Sequence, residues 1–297
     1  MTPTACPLRR LILLSVHYRF PELLWDQVAR FRRCAGPLAD LGLALRLHPI
    51  VHRFSREDVG PAVAALEQGR GAFRARGLDL RGRQDIPRAG QAHGNALSAA
   101  LQRLWRERAV DLDDLIGVVD HDAHPLDARL LARLAAQLES SPELAGVGIP
   151  HWERGHCYLH PALFLTRIRI IEEMGPSMAF EVQPPRTPGD ETWSDTGEGF
   201  TLWCEEHGRP VLPLRVCSTA FPWATWESDM VPNNGTELTG WHGEPVRVGH
   251  LMRYGLADGV PLVSHLWTTP HGFFQGPDRR ATWDEVLAAY LAEPLAD

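Results

Sequence analysis

Five consecutive apolar residues, Leu115-Ile116-Gly117-Val118-Val119, stop abruptly at Asp120-His121-Asp122. A run this short and apolar at every position marks a strand buried on both faces of a parallel sheet, since a half-exposed strand would alternate. Pro125 then sits where a first helical residue would, and Leu126, Leu130, Leu134 and Leu138 follow four apart, which predicts a helix. The same alternation runs upstream. Residues 11–16 read as a strand, and Pro21 opens a helix with Leu24, Val28 and Phe31 on one face. Leu43 to Leu47 with Ile50 and Val51 reads as a second strand, and Ser55 with Asp58 reads as a capping box leading into a helix over 59–66. Residues 69–83 read as a loop or a short strand, and a helix from Asn95 carries Leu97, Leu101, Leu104 and Trp105 on one face. Strands at 145–149 and 162–165 and a short helix at 167–174 complete the series. Strand-helix alternation predicts an α/β fold: an open, mostly parallel sheet flanked by helices.

The second half reads differently. Residues 175–193 are Pro-rich and without period, followed by a helix over about 196–207 and a strand over 211–216. Residues 218–260 show little periodicity and carry Trp223, Trp226 and Trp241, the pattern of long binding loops. Thr282-Trp283-Asp284-Glu285 opens a closing helix with a capping box. A chain of 297 residues fits one α/β domain with long loops.

Composition narrows the chemistry. A formal net charge of -7 argues against a nucleic-acid partner, which would call for a basic field. All the basic residues other than histidine are Arg, so lysine Schiff-base chemistry and lysine-bearing phosphate loops are excluded. Five widely spaced cysteines fit reduced thiols better than a disulfide framework. No stretch approaches the length of a membrane span, and a soluble, cytoplasmic protein is expected.

Asp120 and Asp122 end a buried strand, where open α/β sheets bind ligands. Two carboxylates so placed suit a hard divalent cation shared with a diphosphate; the same residues also suit a polar turn before a helix. In their order along the chain, the landmarks resemble the GT-A glycosyltransferases, family 2 in particular, over roughly residues 10–275. The landmarks are Ser15-Val16-His17-Tyr18-Arg19 after the first strand, Gly94-Asn95-Ala96-Leu97, Leu115 to Asp122 with its D-x-D, and Ala162 to Arg167. Asp195-Thr196-Gly197-Glu198-Gly199-Phe200 before a helix and His265-Leu266-Trp267 complete them.

The resemblance implies a single GT-A domain over residues 1–297, with a nucleotide-sugar-binding half at 10–150, an acceptor and catalytic half at 151–275, and a C-terminal helix at 276–297. It implies metal-dependent transfer of a sugar from a nucleotide-diphosphate donor to a small-molecule or glycan acceptor, with inversion, using Mn2+ or Mg2+. Asp122 would be the direct metal ligand, Asp120 would lie near the ribose or the metal, and His265 or His271 would be a further ligand. Ser15, His17, Tyr18, Asn95, Asp120 and His121 would line the donor site. Asp195 is the candidate base that takes the acceptor's proton, with Glu198, Asp190 and Glu191 the fallbacks; an Asp at 195 equally suits a helix cap. Trp193, Trp223 and Trp226 offer indole faces for an acceptor. Two other readings stay open: a nucleotidyltransferase on a related sheet, and a GT-A-like domain that binds a glycan or protein without catalysis. The absence of Gly between Ser15 and Pro21 weighs against the first.

Overall fold

The computed structural model describes residues 9–82, 89–153, 156–175, 180, 196–222, 237–239, 241, 243–247, 249–266 and 277–297. In chain order the first elements are β1 (Arg9–Val16), α1 (Pro21–Asp40), β2 (Leu43–Val51), α2 (Gly60–Ala64), β3 (Glu67–Gln68), β4 (Phe73–Arg76) and β5 (Leu78–Asp79). Next come α3 (Ala89–Arg106), β6 (Leu115–Val119), β7 (Ala123–Pro125), α4 (Leu130–Ser140), β8 (Gly146–Glu153), β9 (His156–Arg167) and α5 (Ile168–Met174). The remainder is α6 (Glu198–Glu206), β10 (Val211–Pro213), β11 (Arg215–Pro222), β12 (Glu237–Thr239), β13 (Pro245–Arg247), β14 (Gly249–Gly255), β15 (Pro261–Leu266) and α7 (Pro277–Leu291).

Among the described residues, nine strands form one sheet in the order β10-β8-β9-β6-β1-β2-β4-β3, with β5 also on β2. β1 runs parallel to β2 and β6, and β2 to β4 and β5, as the apolar runs predict. β9 runs antiparallel to both β6 and β8, and β10 returns parallel to β8. The sheet is therefore mostly parallel, with β9 reversed beside its centre and β3 reversed at its edge. Alternation sorts the side chains of β1. Leu11 and Leu13 pack with Leu24, Val28 and Phe31 of α1 and Leu130 and Leu134 of α4. Ile12 and Leu14 pack on the other face with Leu97 and Leu101 of α3, Ile168 of α5 and Phe200 of α6. Gly117 lies where the layers approach most closely: a Cβ there would meet Leu13 Cδ2 at 2.6 Å and the Phe164 carbonyl at 3.0 Å.

Several boundaries differ from the expectation, each for a local reason. Pro125 does not open a helix. It ends β7, the edge strand of a second, antiparallel sheet ordered β11-β14-β15-β7, a position that tolerates a missing N–H. The helix starts at Leu130, after Asp127 Oδ1 takes the Arg129 N–H at 2.7 Å. Ser55 does not cap α2; its hydroxyl donates to the His17 carbonyl at 2.5 Å and braces the end of β1. α3 begins at Ala89, ahead of Asn95, and α7 at Pro277, ahead of Thr282. The strand expected over 211–216 divides at Leu214, one part joining each sheet. Residues 218–260, expected as irregular loops, hold strands on both sides of the segment that is not described. The strands at 237–239 and 245–247 have three residues each, too few to show a period, and β14 is buried at most positions, so it does not alternate.

Two short stretches join the second sheet to the first: Leu214, between β10 and β11, and the stretch that follows β6. β6 ends at Val119 in the large sheet, and β7 starts at Ala123 in the small one. Residues 120–122 are the bridge between them. Among the described residues, no helix is long and apolar enough to cross a membrane, and Cys34, Cys157, Cys204 and Cys217 are all free thiols.

Candidate functional site

The bridge at 120–122 is where side chains from four elements converge. Asp120 leaves the carboxyl end of β6, and its N–H reaches the Ala162 carbonyl of β9 at 3.3 Å. That antiparallel pairing carries His160, two residues further along β9, to the same edge. β15 pairs with β7 so that His265 lies opposite Ala123, and the Leu266 N–H donates to the Asp122 carbonyl at 2.9 Å. Asp120, His160 and His265 each offer one ligand atom, and these atoms lie within 4.8 Å of one another. His93 reaches in from α3. Its Nε2 donates to Asp120 Oδ1 at 3.1 Å, which leaves Nδ1 facing the Thr196 hydroxyl at 3.3 Å. Asp120 Oδ2 faces His160 Nδ1 at 4.0 Å.

The electrostatics separate the two carboxylates. Burial alone would raise the Asp120 carboxyl, but the His93 hydrogen bond and the nearby His93, His160 and His265 outweigh it and hold it well below the ordinary carboxylate range. Burial and then the Asp120 charge push Asp122 well above that range. Burial, with His160 beside it, takes His265 down to about 3, so its ring is neutral near pH 7. An ionised carboxylate and two imidazoles, one of them held neutral by its surroundings, are the donor set a divalent transition ion accepts. The residues therefore fit such an ion.

The turn that carries Asp120 is clamped from behind by one side chain. Gln27 of α1 is almost wholly buried, and its amide nitrogen donates to the Asp120 carbonyl at 2.7 Å and the Ala123 carbonyl at 3.0 Å. Its oxygen accepts from the Ser15 hydroxyl at 2.7 Å and faces His17 Nε2 at 3.2 Å. A carboxylate cannot donate, so Gln27→Glu is expected to leave both carbonyls facing acceptors and to destabilise the fold by about 2 kcal/mol or more. Urea unfolding of the two proteins at pH 7.5 measures this, and equal midpoints would remove the clamp.

The residues singled out from sequence fall in different places. Asp120 and His265 belong to the convergent group. Asp122 is buried beside it, with Oδ1 3.6 Å from His265 Nε2, and is not one of the three whose ligand atoms converge. Ser15 and His17 are fully buried and engage Gln27, so they support the turn from within; His17 is lowered to about 3 by burial and by His121. Tyr18 is partly exposed, with its ring 6.5 Å from that of His52. His121 is buried, with its ring centroid 5.9 Å from that of His17. Asn95 is exposed on α3. Glu198 is buried at the start of α6, where Thr201 accepts the Leu159 N–H at 2.9 Å and so braces β9 just before His160. Asp190, Glu191, Asp195, His271, Trp193, Trp223 and Trp226 lie outside the described residues.

Sequence reasoning passed over His160, His93 and Gln27. His160 could have been found by pairing the run at 162–165 antiparallel to 115–119, which sets position 162 against Asp120. His93 directly precedes the Gly94-Asn95 landmark. Gly94 lets α3 come close, since a Cβ there would stand 2.1 Å from the Phe180 carbonyl.

No protein-family description matches this sequence, and no curated protein matches it. Among solved structures, the chain is similar to a mannosyltransferase from Pyrobaculum calidifontis in complex with GDP-Man and Mn2+, with 15% identity and a TM-score of 0.43 over 71% of this chain and 55% of that one. The chain thus spans about half the length of that protein. It is similar to a 4-diphosphocytidyl-2C-methyl-D-erythritol synthase, with 15% identity and a TM-score of 0.39 over 70% of this chain and 89% of that one. It is also similar to mouse xyloside xylosyltransferase 1, with 11% identity and a TM-score of 0.37 over 71% and 86% of the two chains. At these identities and scores the likeness carries no functional argument.

Proposed function

We propose that this chain is a metal-dependent glycosyltransferase of the GT-A type, which transfers a sugar from a nucleotide diphosphate to an acceptor hydroxyl with inversion. The observation that carries the reading is the convergence of Asp120, His160 and His265 at the carboxyl end of β6, the edge where an α/β sheet takes its ligands. Asp120, His160 and His265 would hold the ion. When bound, a divalent ion neutralises the diphosphate and stabilises it as the leaving group. Two imidazoles favour Mn2+ over Mg2+, which prefers an all-oxygen shell.

The chain's own residues have distinct tasks in this scheme. His93 orients the Asp120 carboxylate by holding Oδ1 and turns Oδ2 toward His160. Gln27 fixes the backbone of the same turn. Asp195 takes the proton from the acceptor hydroxyl, with Glu198 the alternative. Support for the segment comes from Thr196, whose hydroxyl lies against His93 and thus one residue removed from Asp120. Trp193, Trp223 and Trp226 offer stacking surfaces to the acceptor.

Calorimetry with UDP and GDP, in Mn2+, in Mg2+ and in chelator, tests the reading. One nucleotide diphosphate should bind in Mn2+, roughly tenfold or more weaker in Mg2+, and without measurable heat in chelator. If neither nucleotide binds in any condition, the donor site is not here. Pyrophosphate release from a nucleoside triphosphate and a sugar phosphate would point to nucleotidyl transfer instead.

A further inference from the structure

Directly behind the candidate site lies a buried polar cluster that its chemistry does not use. His124 is the middle residue of β7 and is fully buried. Its Nδ1 faces Asp26 Oδ2 of α1 at 2.8 Å, and its Nε2 faces Glu293 Oε2 at 3.2 Å. Tyr290, near the end of α7, stacks on the ring with centroids 3.9 Å apart and planes 17° from parallel. Arg253 of β14 donates to Glu293 Oε1. Arg30 of α1 pairs with Asp26 at 2.8 Å and donates to the Glu293 carbonyl at 2.7 Å. The segment after α7 then pairs with the one leaving β7: the Ala296 N–H donates to the Leu126 carbonyl, and the Ala128 N–H to the Ala296 carbonyl, both at 2.8 Å.

We propose that residues 290–296 are a latch that positions the metal-binding group, with Glu293 as a positioning residue acting through His124. The proposal rests on the metal reading of Asp120, His160 and His265. Two arguments carry it. First, taking this many charged groups out of water is costly, and apolar side chains would anchor this segment more cheaply. Directional contacts fix the angle and register of β7 as well as its presence. Second, β7 is only three residues long, and its ladder to β15 sets the distance between Asp120 and His265. A slide or twist of β7 on β15 moves one ligand relative to the other. Gln27 holds the start of this stretch, and Glu293, Tyr290 and Ala296 hold its middle and end.

The test is the Mn2+ affinity of the full-length protein, measured with the ion alone by electron paramagnetic resonance and calorimetry, beside its thermal midpoint. Glu293→Ala should bind Mn2+ roughly 10- to 100-fold more weakly, the usual effect of losing a group that orients a ligand. Glu293→Gln, which keeps an oxygen for His124 but turns an amide N–H toward Arg253, should bind measurably better than Glu293→Ala. Arg33→Ala, which breaks only the exposed pair to Asp297 on the same tail, should bind as the parent does. A folded Glu293→Ala protein with the parent's affinity would overturn the latch. So would failure of Glu293→Gln to bind better than Glu293→Ala, which reduces the residue to packing. If Glu293→Ala does not fold, Tyr290→Leu decides: it uncovers the His124 ring but leaves both carboxylates, and unaltered affinity there also overturns the proposal. A parent protein with no Mn2+ affinity is a separate outcome, since it removes the metal reading and the latch falls with it.

Discussion

Asp120→Asn is expected to weaken Mn2+ binding by roughly 100-fold or more, about 3 kcal/mol, while Asp122→Asn changes it by less than about threefold. Sequence reading assigns the direct contact to Asp122, and the geometry argues for the other carboxylate. Asp120 lies with His160 and His265 in one group, and His93 turns its two oxygens to separate tasks. Asp122 stands outside that group, buried, with its carboxyl pushed up by burial and by the charge of Asp120. An amide has nearly the shape of a carboxyl, and position 122 lies outside the convergent group, so asparagine there disturbs little. At 120 it removes the one ionised ligand, and His93 then donates to a weaker acceptor. Titration of both variants with Mn2+ at pH 7.5, without nucleotide, measures the difference. Equal losses, or a loss at 122 alone, would reverse the assignment.

The second large effect is on stability below neutral pH. His48 of β2 is buried against the Arg76 carbonyl, and burial lowers it from 6.5 to about 4. His17, fully buried behind the turn, is lowered to about 3 by burial and by His121. Both rings take up a proton more readily in the unfolded chain than in the folded one. Their contribution is therefore complete above about pH 6.5 and is lost as the pH falls from 6.5 toward 4 and 3. For His48 the gap corresponds to roughly 3 kcal/mol, and His17 adds a similar amount or more. Urea midpoints should be flat from pH 8 to 7 and fall steeply between 6.5 and 5. His48→Asn should lessen the slope. A midpoint that does not move over this interval would show that neither ring is buried in its neutral form.

The elements that were legible in the sequence are those whose surroundings impose one pattern along their length. β6 has helices on both sides and is apolar throughout, and α1 shows one apolar stripe to the sheet. β7 and β15 were not legible as a pair. β7 has three residues and ends in proline, and its partner lies far along the chain. His160 was hidden for the same reason, because it joins the site through a pairing between strands and not through a spacing. Ser15 and His17 show a different limit. Polar residues at the end of a buried strand look alike whether they face a ligand or, as here, hold Gln27. The residue types at 120 and 122 drew attention to the stretch where Asp120 meets His160 and His265, but which of the two carboxylates joins that group depends on neighbours brought in by β9 and β15.

The bridge between the two sheets has a consequence for how the protein comes into being. Asp120 is laid down with the large sheet, but His265 reaches it only after β15 has been made and docked on β7, and the segment that braces β7 is made later still. A ribosome-bound chain halted at about residue 255 would own every central strand of the large sheet and still lack His265, so the group at the bridge would be incomplete. The group at 120, 160 and 265 is therefore closed by a segment made long after its first member.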